Sequence, residues 1–564
     1  MLFRSVGDFV ILFNSTTAMR HGYISAVTAG TWTIADSGSD TTGSATAYGV
    51  RNIRINGNGA TLDYNKAGLT TGLMSNLHAI VLNACSDVAV ENLQVNNCTK
   101  YACLVTGFKN AVFKNFGTYR AVSSDLSGNS DVIHPLGPGR HFVATDTRAQ
   151  GGDNIFGVGC SDYYDYVFNL TAYGDLSLTD GVIAGVWCED TDEQPVRFYN
   201  ANGSNWIRNW VVDGVFGTYG STVDSCVAII MDTLSGGMVD SGNTNVDGLV
   251  VIAPDAERST GTRSSAFVSR GAGTRRNIKL QRVRPRGGDP ATILSTVSVE
   301  TSIENLEVQL ERSASFSGYI IGVLTGATVS DLDVFAPHVI ADHAGFSGFP
   351  ALLALNAATA AVTRARITFT GDDSSASGQK LLGVYNQGVL GRVSFSNCSM
   401  LDGDSLLRST AAATAGTVIE AVNTKVTTLY GFIGPALPAS IELVNFSHLG
   451  GSGAIVHNQA SSGTVKVKAS NVIASNRFLR NESGNSVYQI NARQLEAVTV
   501  LATDAGTPVW RIQSGCDFSV DGALLDATVG NHGAGASFYN TNAAFGAGIG
   551  AYVRGSAAWA RVAA

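Results

Sequence analysis

The stretch VAVENLQV at residues 88–95 decides the fold, because its apolar and polar residues alternate and Asn92 breaks the alternation once. The same pattern returns as AVFKNFGT at 111–118, FVATDTRA at 142–149 and YVFNLTAY at 166–173. Alternation with a period of two is typical of β-strands rather than helices. Short strands that recur along a chain indicate a solenoid, in which each turn stacks on the previous one.

One polar residue marks a corner in each repeat and gives the repeat its length. The first markers, Asn92, Asn115, Asp146 and Asn169, are spaced by 23, 31 and 23 residues. Later markers are Asn209, Asp247, Asn277, Asn305, Asp331, Arg364 and Asn397. Asn tolerates a left-handed backbone, and its amide can hydrogen-bond the equivalent residue one turn away. The sequence therefore predicts an all-β chain that folds as a right-handed parallel β-helix.

The repeat of strands and corners covers only part of the chain, and the sequence therefore predicts three regions. Residues 1–49 are expected to be an N-terminal strand region or the start of the β-helix, truncated if the opening MLFRS is a translated adapter. Residues 50–490 are predicted to form the parallel β-helix, with its longest loops at 155–220. Residues 491–564 are predicted to be a small C-terminal β segment that caps the solenoid or joins subunits.

Composition and charge argue against several kinds of partner. The 564 residues carry a net charge of −8, whereas a surface for nucleic acid needs clustered Lys and Arg. The sequence has no run of about 18 apolar residues, so it predicts no membrane span. The amino terminus lacks the basic and apolar regions of a secretory signal. We therefore expect synthesis in a reducing cytoplasm, with the eight cysteines as reduced core residues and with neither nucleic acid nor membrane as a partner.

Two stretches resemble known β-helical proteins. RNIRINGNGATLDYN at 51–65 resembles the opening turn of the pectate-lyase and polygalacturonase class, in which a Gly-Asn-Gly-Ala-Thr-(Ile/Leu)-Asp phrase recurs. SFYNTNAAFGAGIGAYVRGSAAWARVAA at 537–564 resembles the closing segment of phage tail fibres and tailspikes. The resemblance implies a polysaccharide depolymerase of the tailspike type, assembled as a homotrimer and located on a virion tail or outside the cell.

Acidic residues stand before three successive strand-like runs. Asp131, Asp153 and Asp180 precede the runs VIHPL, NIFGV and GVIAG. Aligned on the apolar pairs of these runs, the acids fall into one column, with neighbouring turns about 4.8 Å apart. Turn residues that bond only their own backbone are the alternative. Carboxyl groups held close together favour one protonated and one ionised member, which is what glycoside cleavage requires.

The resemblance to polygalacturonases assigns roles to these acids. NSDVI at 129–133 is similar to the family's Asn-Thr-Asp-Gly-Ile phrase, and GDNI at 152–155 is similar to its Asp-Asp-Cys-Ile phrase. This implies that Asp131 and Asp153 activate the attacking water. Gly152 stands where the family has its proton-donating acid, so the proton must come from elsewhere. The candidate donors are Asp180, which we rank first, Glu189 and His134.

The long loops of the predicted β-helix carry most of the candidate residues for holding the substrate. Loops that lengthen a repeat gather on one face, and aromatic rings beside carboxylates suit a sugar chain. Core packing is the alternative explanation for each Trp. The predicted substrate-binding residues are Asn129, His134, Asn154, Trp187, Glu189, Arg197, Trp206 and Trp210.

The predicted function is that of a glycoside hydrolase that cleaves a bacterial capsular or exopolysaccharide without a cofactor. A polysaccharide lyase is the first alternative: it would neutralise a uronate with Ca²⁺ held by the three acids, or with Arg or Lys, and use Arg140 or Arg197 as base. A non-catalytic glycan-binding fibre is the second alternative, since Gly152 lacks the donor. All these activities occur on β-helices, so the fold alone does not choose among them.

Overall fold

The structure is a computed structural model, and it divides the chain into two compact units. One unit holds Met1–Ser225 and Met231–Leu249, and the other holds Cys226–Ile230 and Val250–Ala564. The residues that the structure describes are 9–13, 19–28, 31–36, 50–63, 78–98, 100–119, 131–161, 175–191, 194–200, 204–219, 229–232, 243–258, 265–285, 295–311, 314–341, 346, 348–373, 379–410, 417–434, 440–450, 453–459, 463–482, 486–503, 509–512, 517–520, 537–540, 550–554 and 559–561. Among them, no helix has the length and apolar character needed to cross a bilayer.

Where the first unit is described, its regular secondary structure consists of β-strands. They are β1 (Phe9–Phe13), β2 (Met19–Thr28), β3 (Thr31–Asp36), β4 (Val50–Arg51), β5 (Arg54–Asp63), β6 (Ile80–Asn83), β7 (Cys85–Asn96), β8 (Cys103–Tyr119), β9 (Ile133–Gln150), β10 (Phe156–Gly159), β11 (Leu178–Thr191), β12 (Val196–Tyr199) and β13 (Trp206–Tyr219). Two further strands, β14 (Ile229–Asp232) and β15 (Asn245–Pro254), are divided between the units.

The second unit is also built of β-strands over its described residues. They are β16 (Glu257–Arg258), β17 (Phe267–Ser269), β18 (Arg275–Val283), β19 (Val297–Val299), β20 (Glu304–Leu310), β21 (Ala314–Phe316), β22 (Tyr319–Val323), β23 (Thr328–Ala341), β24 (Ala351–Leu355), β25 (Ala361–Asp372), β26 (Leu382–Asn386), β27 (Val389–Ser396), β28 (Ser399–Leu401), β29 (Ser405–Ser409), β30 (Val418–Thr427), β31 (Phe432–Gly434), β32 (Ser440–His448), β33 (Ala454–Asn458), β34 (Thr464–Asn481), β35 (Val487–Thr503), β36 (Val509–Ile512), β37 (Asp517–Val520), β38 (Ser537–Asn540), β39 (Gly550–Arg554) and β40 (Trp559–Arg561).

Parallel pairing between successive turns identifies the architecture. In the first unit β8 pairs in parallel with β7 and β9, and β11 pairs in parallel with β9 and β13. In the second unit the same arrangement runs from β17 to β38. Antiparallel pairs occur in the sheet of β1, β2 and β3 and among β38, β39 and β40. The all-β prediction of a parallel β-helix, with a small C-terminal β segment, is confirmed.

The predicted Asn corners adopt the left-handed backbone conformation. Asn92, Asn115 and Asp146 have φ of 51°, 48° and 56°, and Asn115 Nδ2 donates to Asn92 Oδ1 at 3.1 Å across one turn. Gly tolerates the same conformation, and at one later turn the corner is Gly248 (φ 75°) rather than the neighbouring Asp247. The marker Asn169 lies outside the described residues. A residue that tolerates positive φ is what each of these corners requires.

Two other markers are not left-handed corners. Asp331 and Arg364 are register partners on β23 and β25, and neither has a positive φ. Instead their side chains form an ion pair across one turn. Here the repeat rhythm was predicted correctly, although the contact between turns is a charge pair rather than an amide ladder.

The apolar core of the second unit includes a continuous column of buried side chains. Register partners on successive turns contribute one side chain each to this column, and each is no more than 3% exposed. Its members are Val297, Ile321, Leu353, Val384, Leu407, Phe432, Val456 and Leu479. Burying one such side chain stabilises the fold by about 1.5–3 kcal/mol. The six cysteines that the structure describes are buried, as predicted for core residues.

Asn445 tests the amide ladder of the second unit. Its φ is 51°; its Nδ2 donates to Asn423 Oδ1 at 2.9 Å, and its Oδ1 accepts from Asn471 Nδ2 at 2.9 Å. We expect Asn445→Ala to lower the free energy of unfolding by about 1–3 kcal/mol. The substitution removes both hydrogen bonds, and alanine keeps the Cβ in a left-handed backbone without the amide that compensates for this conformation in Asn. Asn445→Gly should cost less, since glycine accepts this φ. Urea unfolding followed by circular dichroism measures both, and equal losses would contradict the role of φ.

His448 makes the stability of the second unit depend on pH. The side chain is 0% exposed, and burial lowers the pKa of His448 from 6.5 to about 4, against a smaller opposing effect of a backbone group of Thr428. The unfolded chain therefore binds this proton more tightly, so stability falls as the pH drops from about 6.5 to about 4, by about 3 kcal/mol in total. His448→Asn should flatten this dependence in urea unfolding across that window. An unchanged pH dependence would contradict the assignment.

Candidate functional site

Asp131, His134 and Tyr199 form a hydrogen-bonded chain in the first unit. Asp131 lies two residues before β9, His134 lies on β9, and Tyr199 ends β12. His134 Nδ1 is 2.5 Å from Asp131 Oδ2, and His134 Nε2 is 2.7 Å from the Tyr199 hydroxyl. Because a carboxylate accepts, Nδ1 donates to Asp131. When the ring carries only that proton, Nε2 accepts the proton of the Tyr199 hydroxyl. The three residues are 4%, 1% and 3% exposed, so the chain is buried.

Two glycines of β10 make room for this chain. A Cβ at Gly157 would stand 2.1 Å from Asp131 Oδ2, and a Cβ at Gly159 would stand 2.7 Å from Tyr199 Cζ. The run FGVG thus alternates apolar residues with positions that carry no side chain. On the face of β10 that carries Gly157 and Gly159, His134 of β9 therefore reaches across β10 and contacts Tyr199 of β12.

Stacked rings extend the buried cluster to the preceding turns. Tyr101 lies parallel to the His134 ring with centroids 4.0 Å apart, and His78 stacks on Tyr101 at 4.8 Å. The Lys100 ammonium is 5.4 Å from the Tyr101 ring centroid. All three residues are 7% exposed or less. Stacking fixes the His134 ring plane and so the direction in which its two nitrogens point.

Asp153 and Asn154 lie on the turn next to Asp131, but the register differs from the prediction. Ile133 pairs with Phe156, so the partner of Asp131 is Asn154, and Asp153 comes one residue earlier. Asp153 is 7% exposed, and Asn154 Nδ2 donates to the Gln194 carbonyl at 2.6 Å. Two buried carboxyl groups therefore lie on neighbouring turns, offset by one residue.

Asp180 does not belong to the same column, which corrects the alignment made from sequence. It is the register partner of His141, it has φ 61°, and Asn209 Nδ2 donates to its Oδ1 at 3.1 Å. It is therefore a corner residue of the amide ladder. That hydrogen bond is the main reason that the pKa of Asp180 is lowered, with Arg140 contributing. A proton donor needs a raised pKa, so this environment argues against the predicted donor role.

Trp187 and Glu189 lie together on an exposed groove of about 370 Å³. Trp187 is 52% exposed, and Tyr119, which also lines the groove, is 40% exposed. Register partners supply the lining from successive turns: Gly117, Arg148 and Trp187 form one column. Tyr119, Gln150 and Glu189 form a second column two residues further along the strands. The groove is thus an aromatic and polar surface that runs across several turns.

Gly117 gives the groove its depth, because it stands between Gln94 and Arg148 in its column and has no side chain. Its neighbours would tolerate a side chain, since a Cβ there would come no closer than 3.4 Å to the Arg148 carbonyl oxygen. Tyr119, Arg148 and Gln150 were not among the predicted site residues. Counting four residues from the corners Asn115 and Asp146 would have found Tyr119 and Gln150.

The remaining predicted binding residues are distributed differently. Trp210 is 1% exposed and packs against Phe142 at 5.6 Å and Phe198 at 5.9 Å, so it belongs to the core and cannot contact a polysaccharide. Trp206 is half-buried, with the Arg208 guanidinium 5.0 Å from its ring. The half-buried Arg197 lies 5.5 Å from the Tyr199 ring, beside the buried cluster. Asn129 lies outside the described residues.

The described residues contain no group of three His, Cys, Asp or Glu side chains that could hold a metal ion. A Ca²⁺ site built from Asp131, Asp153 and Asp180 together is not supported, because Asp180 is on a different corner. Comparison with protein-family models, with curated proteins and with solved structures found no match to this chain.

Proposed function

We propose that this chain is a saccharide-binding β-helix that hydrolyses a polysaccharide, a depolymerase of the tailspike type. The observation that carries the proposal is the groove in which Trp187 and Tyr119 expose their rings beside Arg148 and Glu189. Exposed apolar surface that is gathered in a groove rimmed by polar residues is typical of a ligand-binding site. A sugar ring offers a flat CH face to an aromatic side chain and hydroxyls to carboxylates, amides and guanidinium groups. The fold itself is common to polysaccharide-processing enzymes and tailspikes.

The groove is proposed for binding rather than for cleavage. Glycosidases use two carboxyl groups about 5–9.5 Å apart, and among the described residues Glu189 is the only carboxylate that lines this groove. Arg148 and the amides of Gln94 and Gln150 supply hydrogen bonds to hydroxyl groups. A long saccharide could thus be held across several turns without being cut at this position.

Asp131 and Asp153 are proposed for the cleavage step. They lie on neighbouring turns, whose backbones are about 4.8 Å apart, and hydrolysis uses two carboxyl groups about 5–9.5 Å apart. His134 orients the Asp131 carboxylate through the 2.5 Å hydrogen bond. These side chains are at most 7% exposed, so cleavage requires a conformation in which a polysaccharide can reach them. The proposal therefore treats binding and cleavage as separable steps.

A polysaccharide lyase is the second candidate, and the Asp131–His134–Tyr199 chain is the observation that favours it. A lyase needs a base that removes a proton beside a uronate carboxylate and a cation that neutralises this carboxylate. Tyr199, hydrogen-bonded to His134 Nε2, is a candidate for the proton transfer. The Arg197 guanidinium, 5.5 Å from the Tyr199 ring, is a candidate for the cation. The homotrimer and the location on a virion tail or outside the cell remain proposals that follow from the sequence resemblance.

Digestion of a panel of bacterial capsular and exopolysaccharides tests this function. New reducing ends without ultraviolet absorbance from an unsaturated uronate are expected for hydrolysis. Absorbance that rises together with reducing ends would replace hydrolysis by lyase chemistry. Binding without turnover across the panel would leave a glycan-binding fibre, and no binding to any glycan would contradict the proposal altogether.

A further inference from the structure

A row of positive charges runs along the first unit, one strand after another. Register pairing joins six residues into a single column across six turns: Arg51, Ser86, Lys109, Arg140, Thr179 and Arg208. We call these six residues the basic row. Four of the six are cations, and none is acidic. At about 4.8 Å per turn, the row spans roughly 24 Å.

The basic row borders an open groove of about 560 Å³. Among the described residues, the charged side chains that line this groove are the four cations of the row and one carboxylate, Asp175. Arg51, Lys109 and Arg140 are exposed, and Arg208 is half-buried. The groove therefore carries an excess of positive charge in a chain whose net charge is −8. Such a local reversal of sign attracts anions to this surface.

Two nearby carboxylates, Asp175 and Asp180, neutralise the four cations of the row only in part. Asp180 lies 3.4 Å from Arg140 Nε, but the two side chains are 35% and 64% exposed, and such surface pairs are weak. Asp180 also accepts a hydrogen bond from Asn209, as part of the corner ladder. Asp175 accepts hydrogen bonds from the Ser177 backbone and hydroxyl at 3.0 and 2.6 Å. Both acids are thus shared with neighbours outside the row.

Three exposed arginines in the second unit are paired with carboxylates. Arg364, Arg366 and Arg392 each form an ion pair with a carboxylate one turn away, from Asp331, Asp333 and Glu420 respectively. Arg364 and Arg392 are register partners of each other, so each of these facing arginines has its own carboxylate. Lys109 and Arg140 of the basic row are also register partners on adjacent turns, but the carboxylate beside them is Asp180, in an exposed pair with Arg140. Like charges opposite each other destabilise a sheet. An anionic ligand that lies across both residues would remove this repulsion.

We propose that the basic row binds an anionic polysaccharide laid along the row, whose carboxylate, sulfate or phosphate groups contact Arg51, Lys109, Arg140 and Arg208. This names the substrate class of the proposed function and rests on that function for the ligand being a saccharide. The row shares no residue with the groove of Trp187 or with the Asp131 cluster. It therefore adds a separate contact, which holds the charged groups while the aromatic groove holds sugar rings.

The test compares two triple variants of the full chain in binding to polygalacturonate, dextran sulfate and neutral dextran. Lys109→Gln, Arg140→Gln and Arg208→Gln together remove three charges of the row. The matched control, with Lys425→Gln, Lys466→Gln and Lys468→Gln, removes three exposed charges of the second unit. The row variant should bind one or both polyanions about tenfold more weakly or worse. Its affinity should also depend less on salt, because fewer counterions are released on binding. The control variant should bind like the wild-type chain.

Three results would overturn the proposal: equal losses in both variants, no loss in the row variant, or competition by duplex DNA as strong as that by the polyanion. Melting curves of both variants establish that each is folded. Cleavage of the glycan panel separates this proposal from the general function. If the row variant loses polyanion binding and the control variant does not, the row stands even when no glycan of the panel is cleaved. If cleavage is found but the row variant is unaffected, only the substrate class fails.

Discussion

Trp187→Ala is expected to weaken the binding of a cognate saccharide about thirtyfold, which corresponds to about 2 kcal/mol. The ring is 52% exposed, and its groove partners are supplied by neighbouring turns, so truncation removes the largest apolar contact without opening a core cavity. The free energy of unfolding should therefore stay within about 0.5 kcal/mol of the wild-type value. Isothermal titration with oligosaccharides from a polysaccharide that the protein binds measures the effect.

Phe335→Ala is the matched control for Trp187, because Phe335 is an exposed aromatic residue (47%) on β23 that does not line the groove. It should leave saccharide binding unchanged. Gly117→Leu approaches the same question from the opposite direction. The backbone accepts a side chain at this position, and the added atoms would fill the groove, so affinity should fall as it does in Trp187→Ala. If both groove variants bind like the wild-type chain, the groove is not the saccharide site.

Much of the fold could be predicted because the corners and strands are local properties of the sequence. Asn92, Asn115 and Asn277 are in the left-handed conformation that the pattern predicted. The alternation around them buries one face of each strand, as the buried and exposed residues of β7 and β8 follow in turn. Such a pattern is set by backbone sterics and by burial, and neither depends on distant parts of the chain.

The site could be predicted only in part, because register between turns depends on corners that several residue types can occupy. Asp180 was aligned by the apolar run after it, whereas its backbone is a corner in line with His141 and Asn209. Trp210 was assigned to the substrate as one of the aromatic residues of the long loops, but the left-handed corner at Asn209 breaks the alternation of β13 and places Trp210 in the core. Trp187 and Glu189 were found by chemical character alone. Their groove partner Tyr119 was missed, although it lies four residues after the corner Asn115 and could have been found by counting from it.

Asp131→Asn is expected to lower the turnover of a polysaccharide substrate about 10²–10⁴-fold while leaving saccharide binding in the Trp187 groove unchanged. The amide has the shape of the carboxylate but cannot act as a base, and it no longer accepts a charge-assisted hydrogen bond from His134 Nδ1. A purely structural role would instead appear as a lower free energy of unfolding with a proportional loss of binding. Initial rates, titration with oligosaccharides and urea unfolding on the same preparation separate the two roles.

Asp180→Asn is the matched control, because it makes the same chemical change at the acid that sequence alignment placed beside Asp131. In the structure Asp180 is a left-handed corner, and Asn occupies the equivalent position one turn later, at Asn209. The variant should therefore fold and turn over substrate like the wild-type chain. Tyr199→Phe adds a further distinction, since it removes the hydroxyl bonded to His134 but keeps both acids. Loss of turnover in Tyr199→Phe with an active Asp131→Asn would favour a lyase in which Tyr199 moves the proton. Loss of turnover in Asp180→Asn alone would overturn the assignment of Asp131.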